Sequence, residues 1–306
     1  MSTPQQDADT IRNAMDGFGC NEKPIVDICI HRTNAQRLEI AKAYKSAYGK
    51  DLIDDLKSEL SGNLKDGIVA LFTEPIEYDA DELRRAMKGL GTDEDTLIEI
   101  IVSRPPEILK QIKEKFKQKY KRDLEADVKS ETSGNFRKLL IELLKCNRST
   151  NTKPDPDRCE AIAKEIYKAG EARLGTDEPV FTKYFCSLSK DELTVIANQY
   201  LELSGHTIMQ AIEKEFSGDS KKTLKTIVYA TLGVSEYFAY RVHDAIKGLG
   251  TKDHILIRVL VSRSEIDMPE TKEYYKQTFG KNMYEDVKND ISGEYRNLML
   301  GIIGEN

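Results

Sequence analysis

Short apolar stripes at helical spacing, parted by polar turns, run the length of the chain. A first helix is expected near Asp7–Asp16, with a turn at Gly17-Phe18-Gly19. Ile40, Ala41, Tyr44 and Tyr48 then fall on one helical face and stop at Gly49, a residue that readily ends helices. Leu52, Ile53 and Leu56 open a shorter helix ending at Glu59, and Leu64, Ile68, Leu71 and Phe72 form one more stripe. The next stretch repeats this grammar. Leu83, Ala86 and Met87 precede a turn, and Leu97, Ile98, Ile101 and Val102 follow it. Ile108, Ile112, Phe116 and Tyr120 make an i, i+4 stripe, and Phe136, Leu139, Leu140, Leu143 and Leu144 predict a helix deep in the core. The pattern predicts an all-α chain built from units of five short helices.

The units recur. The second glycine of each turn is Gly19, Gly91, Gly175 or Gly250, at separations of 72, 84 and 75 residues. Forty positions after each stands an acid, Glu59, Glu131, Glu215 or Asp290, and two further on a Ser-Gly pair. The third turn is irregular, with Gly170-Glu171-Ala172-Arg173-Leu174-Gly175 in place of Gly-x-Gly. Arg32, Arg104 and Arg263 each stand thirteen after the turn glycine, where the third unit has Leu188. The longer middle spacing is expected to sit in Cys-Asn-Arg-Ser-Thr-Asn-Thr-Lys-Pro-Asp-Pro, whose prolines and polar residues read as a linker. The boundaries that follow are a tail over 1–7, repeats over 8–75, 76–146, 159–233 and 234–306, and a linker over 147–158. The chain then reads as two halves, repeats one and two before the linker and three and four after it.

A turn with two glycines lets the backbone come close to a ligand and point carbonyls outward. Carbonyl oxygens with one carboxylate are the ligands a hard cation such as Ca²⁺ takes. Composition narrows the rest. A net charge of −6 argues against nucleic acid as the main partner, and against an anionic membrane unless something reverses the sign. No apolar run is long enough to span a bilayer, and the opening residues lack the pattern of a secretory signal, so a cytoplasmic start is expected. The five cysteines form no CxxC pair and read as free thiols, and the four histidines have no zinc spacing. The chain has no GxxxxGK[ST] loop, and neither Gly89-Leu90-Gly91 nor Gly248-Leu249-Gly250 continues to the third glycine of a dinucleotide fingerprint. A non-enzyme is expected.

Four units carrying Lys-Gly-x-Gly-Thr or its variants, with an acid forty residues on, resemble the annexin repeat over essentially the whole chain. The resemblance implies four homologous five-helix repeats packed as a slightly curved disc, with calcium sites on the face that docks on acidic phospholipid. Carried onto this chain, it implies carbonyl ligands from Met15, Gly17 and Gly19 with Glu59, and from Met87, Gly89 and Gly91 with Glu131. It likewise implies Ile246, Gly248 and Gly250 with Asp290, and for the variant third repeat Gly170, Arg173 and Gly175 with Glu215. Asp16 departs from Lys88 and Lys247, and Cys20 from the threonine of the other repeats. A lysine there reaches lipid phosphate and an aspartate does not, so repeat two is expected to bind best, then four, then one, with three last.

One carboxylate per site implies weak affinity for calcium alone, raised when a lipid phosphate oxygen fills the open coordination place. Filling all four sites would reverse the sign of the net charge and turn repulsion from an anionic leaflet into attraction. The chain is therefore expected to act as a peripheral membrane adaptor or organiser that moves to membranes when calcium rises, with self-association there left open. The alternatives are a calcium-independent cytoskeletal scaffold, or an ion-conducting or hydrolytic activity. Thr92 and Asp95 read as a capping box. Glu22, Glu94, Glu178 and Asp253, each three past the turn glycine, read as first-turn helix acids or secondary calcium ligands. Asp79 and Glu82, with Arg104 and Arg263, resemble the annexin hydrophilic channel but read more plainly as buried salt bridges between domains. The tail before the first helix, about seven residues, is expected to regulate little.

Overall fold

The computed structural model describes residues 2–17 and 19–305, so Phe18 of the first turn lies outside the described residues. Twenty α-helices and no strands are found among them. Repeat one holds α1 (Pro4–Ala14), α2 (Glu22–His31), α3 (Asn34–Tyr48), α4 (Leu52–Glu59) and α5 (Gly62–Phe72). Repeat two holds α6 (Pro75–Ala86), α7 (Glu94–Ser103), α8 (Pro106–Tyr120), α9 (Leu124–Glu131) and α10 (Gly134–Leu144). Repeat three holds α11 (Pro156–Ala169), α12 (Glu178–Ser187), α13 (Lys190–Ser204), α14 (Ile208–Glu215) and α15 (Gly218–Leu232). Repeat four holds α16 (Val234–Ile246), α17 (Asp253–Arg263), α18 (Met268–Phe279), α19 (Met283–Asp290) and α20 (Gly293–Ile303). The five-helix grammar read from the stripes is the one observed.

Local chemistry sets the ends. Thr3, Thr33, Ser189 and Thr207 each cap a helix through a reciprocal box with the Gln or Glu three residues on. The box at Thr3 starts α1 at Pro4, earlier than expected. Gly49 stops α3 in the left-handed region at φ +67°. In α8 the buried residues are Leu109, Ile112 and Phe116, while Ile108 and Tyr120 stay half-exposed. The buried face is therefore one position off the predicted stripe at its start.

The helices gather into two compact units. One comprises Met1–Tyr78 with Phe238–Asn306, and the other comprises Asp79–Tyr237. Repeat one thus packs with repeat four and repeat two with repeat three, which corrects the division into halves at the linker. In the first unit α2 and α5 lie against α20, and α5 against α17. Gly301 of α20 meets Ile30 so closely that an added Cβ would come within 2.5 Å of it. Arg37 is buried and donates to the carbonyls of Leu71, Cys29 and Arg32 and, across the repeats, to Glu265 Oε1 at 2.8 Å. In the second unit α7 packs on α15 and α10 on α12. Lys222 Nζ bonds Asp95 Oδ1 at 3.0 Å there, and Thr182 donates to Asn135 Oδ1 at 3.2 Å. No helix among the described residues is long and apolar enough to cross a membrane.

Candidate functional site

Each repeat's acid is the last residue of its fourth helix, and the Ser-Gly pair that follows re-aims the chain into the fifth. Gly62, Gly134, Gly218 and Gly293 enter that helix with φ between +56° and +67°, a conformation that a side chain would strain. The turn between the first and second helices is closed by one backbone bond at the same place in every repeat. These are Asn21 N to Ala14 O (2.8 Å), Asp93 N to Ala86 O (2.9 Å), Asp177 N to Ala169 O (2.7 Å) and Lys252 N to Ala245 O (2.8 Å). The third of these loops is one residue longer, which is why its glycine spacing looked irregular.

Inside the loops Gly17, Gly19, Gly89, Gly91, Gly175, Gly248 and Gly250 take φ between +80° and +119°. Gly170 differs, ending α11 at φ −124°. Met15 and Met87 bury their side chains and Ile246 is half-buried, so at these positions only the peptide group is free for a ligand. The Arg173 side chain turns instead to Asp177 Oδ2 at 3.3 Å.

Turn and acid, forty residues apart in sequence, meet. Thr92 Oγ1 donates to the backbone oxygen of Glu131 at 3.2 Å. Thr176 Oγ1 lies 3.3 Å from the backbone oxygen of Glu215 and 2.6 Å from its Oε2. Thr251 Oγ1 lies 3.4 Å from the Asp290 backbone oxygen and 2.5 Å from its Oδ2. The Glu215 carboxyl also packs on Gly170, with its Cδ 3.4 Å from where a Cβ would stand. In repeat one the thiol of Cys20 takes the threonine's place. Its pKa is raised by burial and by the charges of Glu22 and Glu59, so the acid is near this turn too. Thr92 therefore ties turn to acid and is no cap. Asp93 caps α7 instead, accepting from Thr96 N at 3.0 Å.

This donor set fits a hard cation. Among the described residues no three His, Cys, Asp or Glu side chains gather as a metal group, so the candidate ligands are one carboxylate per repeat and the peptide oxygens of a glycine turn. Lys88 and Lys247 are exposed beside their turns, as is Asp16. What the stripes did not reveal are the tips, where Leu90, Leu174 and Leu249 are fully exposed. Their signal was an apolar residue that belongs to no helical stripe, set just before a turn glycine.

The charged residues likened to a channel form ion pairs inside their own repeats. Arg104 forks onto Asp79, Nε to Oδ2 at 2.7 Å and Nη2 to Oδ1 at 2.8 Å, with both residues buried. Arg85 bonds Glu82, and Arg263 Nε bonds Asp267 Oδ1 at 2.6 Å.

The annexin family model matches residues 6–71, 78–143, 162–227 and 237–302. The chain is 44% identical to Annexin A11 of Oryctolagus cuniculus over 303 residues, covering 99% of this chain and 60% of that protein. It thus spans under two thirds of the length of that relative. It is also 44% identical to Annexin A4 of Homo sapiens over 299 residues, covering 98% of this chain and 94% of the relative. The solved structure of annexin III superposes with a TM-score of 0.96 at 40% identity, covering 100% of this chain and 95% of the other.

Proposed function

This chain belongs to the annexin family, known for calcium-dependent phospholipid binding, and from that premise we propose that it docks on acidic phospholipid through its four glycine turns. The observation that carries the reading is the meeting of turn and distal acid, made through Thr92, Thr176 and Thr251 in repeats two, three and four. The proposed ligand sets are Met15, Gly17, Gly19 and Glu59; Met87, Gly89, Gly91 and Glu131; Gly170, Arg173, Gly175 and Glu215; and Ile246, Gly248, Gly250 and Asp290. These residues would hold Ca²⁺, which would supply the positive charge that draws a lipid phosphate.

The chain's own residues do the rest. Lys88 and Lys247 offer cations to phosphate beside the second and fourth turns. Leu90, Leu174 and Leu249, with no protein to cover them, fit the apolar side of a headgroup layer once the carboxylates are neutralised. A peripheral adaptor that moves between cytoplasm and membrane with calcium follows from this. Co-sedimentation with phosphatidylserine vesicles in calcium, and release by chelator, tests it. Equal pelleting in chelator would favour a calcium-independent scaffold and sink the proposal.

A further inference from the structure

We propose that Glu171 is the positioning residue of the third turn, standing in for an acid that the other repeats carry on their fourth helix. Twenty-five residues past the turn glycine, the third helix of each repeat buries an aromatic ring, Tyr44, Phe116, Tyr200 or Tyr275. Eleven further on, repeats one, two and four have Asp55, Asp127 and Asp286. Tyr44 donates to Asp55 Oδ2 at 2.7 Å and Tyr275 to Asp286 Oδ2 at 2.9 Å, so the fourth helix meets both hydroxyls. Repeat two has Phe116, which needs no acceptor, and its Asp127 pairs with Arg122 at 2.7 Å.

Repeat three breaks the pattern. Ala211 stands at the acid's place, and the buried Tyr200 would be left without an acceptor. Its hydroxyl donates instead to Glu171 Oε2 at 2.8 Å. Burial, and next this bond, push the Tyr200 phenol up, so it stays a donor. Glu171 Oε1 lies 3.1 Å from His206 Nδ1 and 3.6 Å from Lys214 Nζ. Glu171 is the second residue past the alanine that closes the turn, the place held elsewhere by Asp16, Lys88 and Lys247. Those three are exposed, whereas the Glu171 side chain is 7% exposed. Asp16 is an acid at the same place and stays outside, in a repeat whose Tyr44 already has Asp55.

The third turn is one residue longer than the others, and a longer loop has more freedom to lose when it takes a ligand. Contacts from Tyr200, His206 and Lys214 to one carboxylate remove part of that freedom beforehand. Gly175 keeps φ +80° and Thr176 keeps its bond to the distal acid, as Gly250 and Thr251 do in repeat four. The held shape is therefore the one a shorter turn reaches without an anchor. That this turn takes calcium rests on the docking surface already proposed; that Glu171 holds it does not.

The test is amide hydrogen exchange of the full chain in chelator, followed by a calcium titration watched at the same amides by NMR. In Glu171→Ala, exchange at Ala172, Arg173 and Asp177, whose N–H groups bond within the turn, should rise by roughly tenfold. Asp93, which closes the second turn, should keep the parent rate, and the calcium that shifts the third-turn amides should rise by about threefold or more. Glu171→Ala also strands the Tyr200 hydroxyl and should lower the denaturant midpoint. Glu171→Ala with Tyr200→Phe removes both partners and should recover most of that loss, while the turn stays as loose as in the single variant. Parent exchange rates in Glu171→Ala, or a double variant whose turn tightens as its midpoint recovers, would overturn the assignment. Loosened exchange with no calcium shift at this turn even in the parent would support the hold of Glu171 and sink calcium binding at repeat three.

Discussion

The Thr176 hydroxyl donates to Glu215 Oε2 at 2.6 Å, holding the third repeat's acid in a bond that calcium would have to share. Thr251 holds Asp290 in the same way, whereas Thr92 reaches only the backbone oxygen of Glu131 and leaves the exposed carboxylate free of that bond. Repeat two should therefore fill first. Glu131→Gln is expected to raise the calcium needed for half-maximal vesicle binding by roughly tenfold, and Glu215→Gln to raise it least. Calcium titrations of the four single variants check this, and equal shifts from all four would refute the order.

Leu90, Leu174 and Leu249 touch nothing in the free protein. Changing each to Ser should leave the melting temperature unchanged, because exposed positions contribute within about 0.5 kcal/mol. Vesicle affinity should nonetheless fall by up to about thirtyfold per leucine, since a buried leucine side chain is worth about 2 kcal/mol. Thermal melts and sedimentation of the same samples separate the two effects.

Arg37 ties α3 to the carbonyls of Leu71 and Cys29 and to Glu265 of repeat four. Arg37→Met strands several acceptors in the core and should cost about 3 kcal/mol in urea unfolding. Glu265→Gln should cost under about 1 kcal/mol, because the Glu265 side chain is 41% exposed and regains water. A larger loss from Glu265→Gln would mean that charge, rather than carbonyl satisfaction, holds this joint.

Glu192 is buried, which raises its pKa, but bonds from Ser189 N, Arg158, Asn151 and Ser149 outweigh that and lower it from 4.5 to about 2. The folded value lies below the unfolded one, so this group stabilises the fold above about pH 4.5 and loses that contribution as pH falls towards 2. Glu192→Gln should flatten the acid limb of stability across that window while lowering stability at neutral pH. Denaturant melts at several pH values read both.

Helix grammar was legible because each helix carries its own evidence. The stop at Gly49 and the acid ending α4 are local, and local spacing is what periodicity measures. The four acids were legible as a repeat, since one offset recurred. Their bonding was not. Thr92 followed by Asp95 fits a capping box on paper, and only the folded turn shows the hydroxyl aimed at Glu131, thirty-nine residues away. The exposed leucines were hidden for the converse reason, because an apolar letter does not reveal whether anything covers it.

By itself the sequence determined twenty short helices' worth of pattern, four copies of one unit, and the residue types able to hold a hard cation. The tertiary structure alone decided which copies pack together. Repeat one joins repeat four and repeat two joins repeat three, because packing partners are chosen by matching helix faces, and chain order places no constraint on that match once the linkers reach. It also decided which carboxylates are held by a hydroxyl and which stand open, a matter of ångströms between residues that sequence sets far apart.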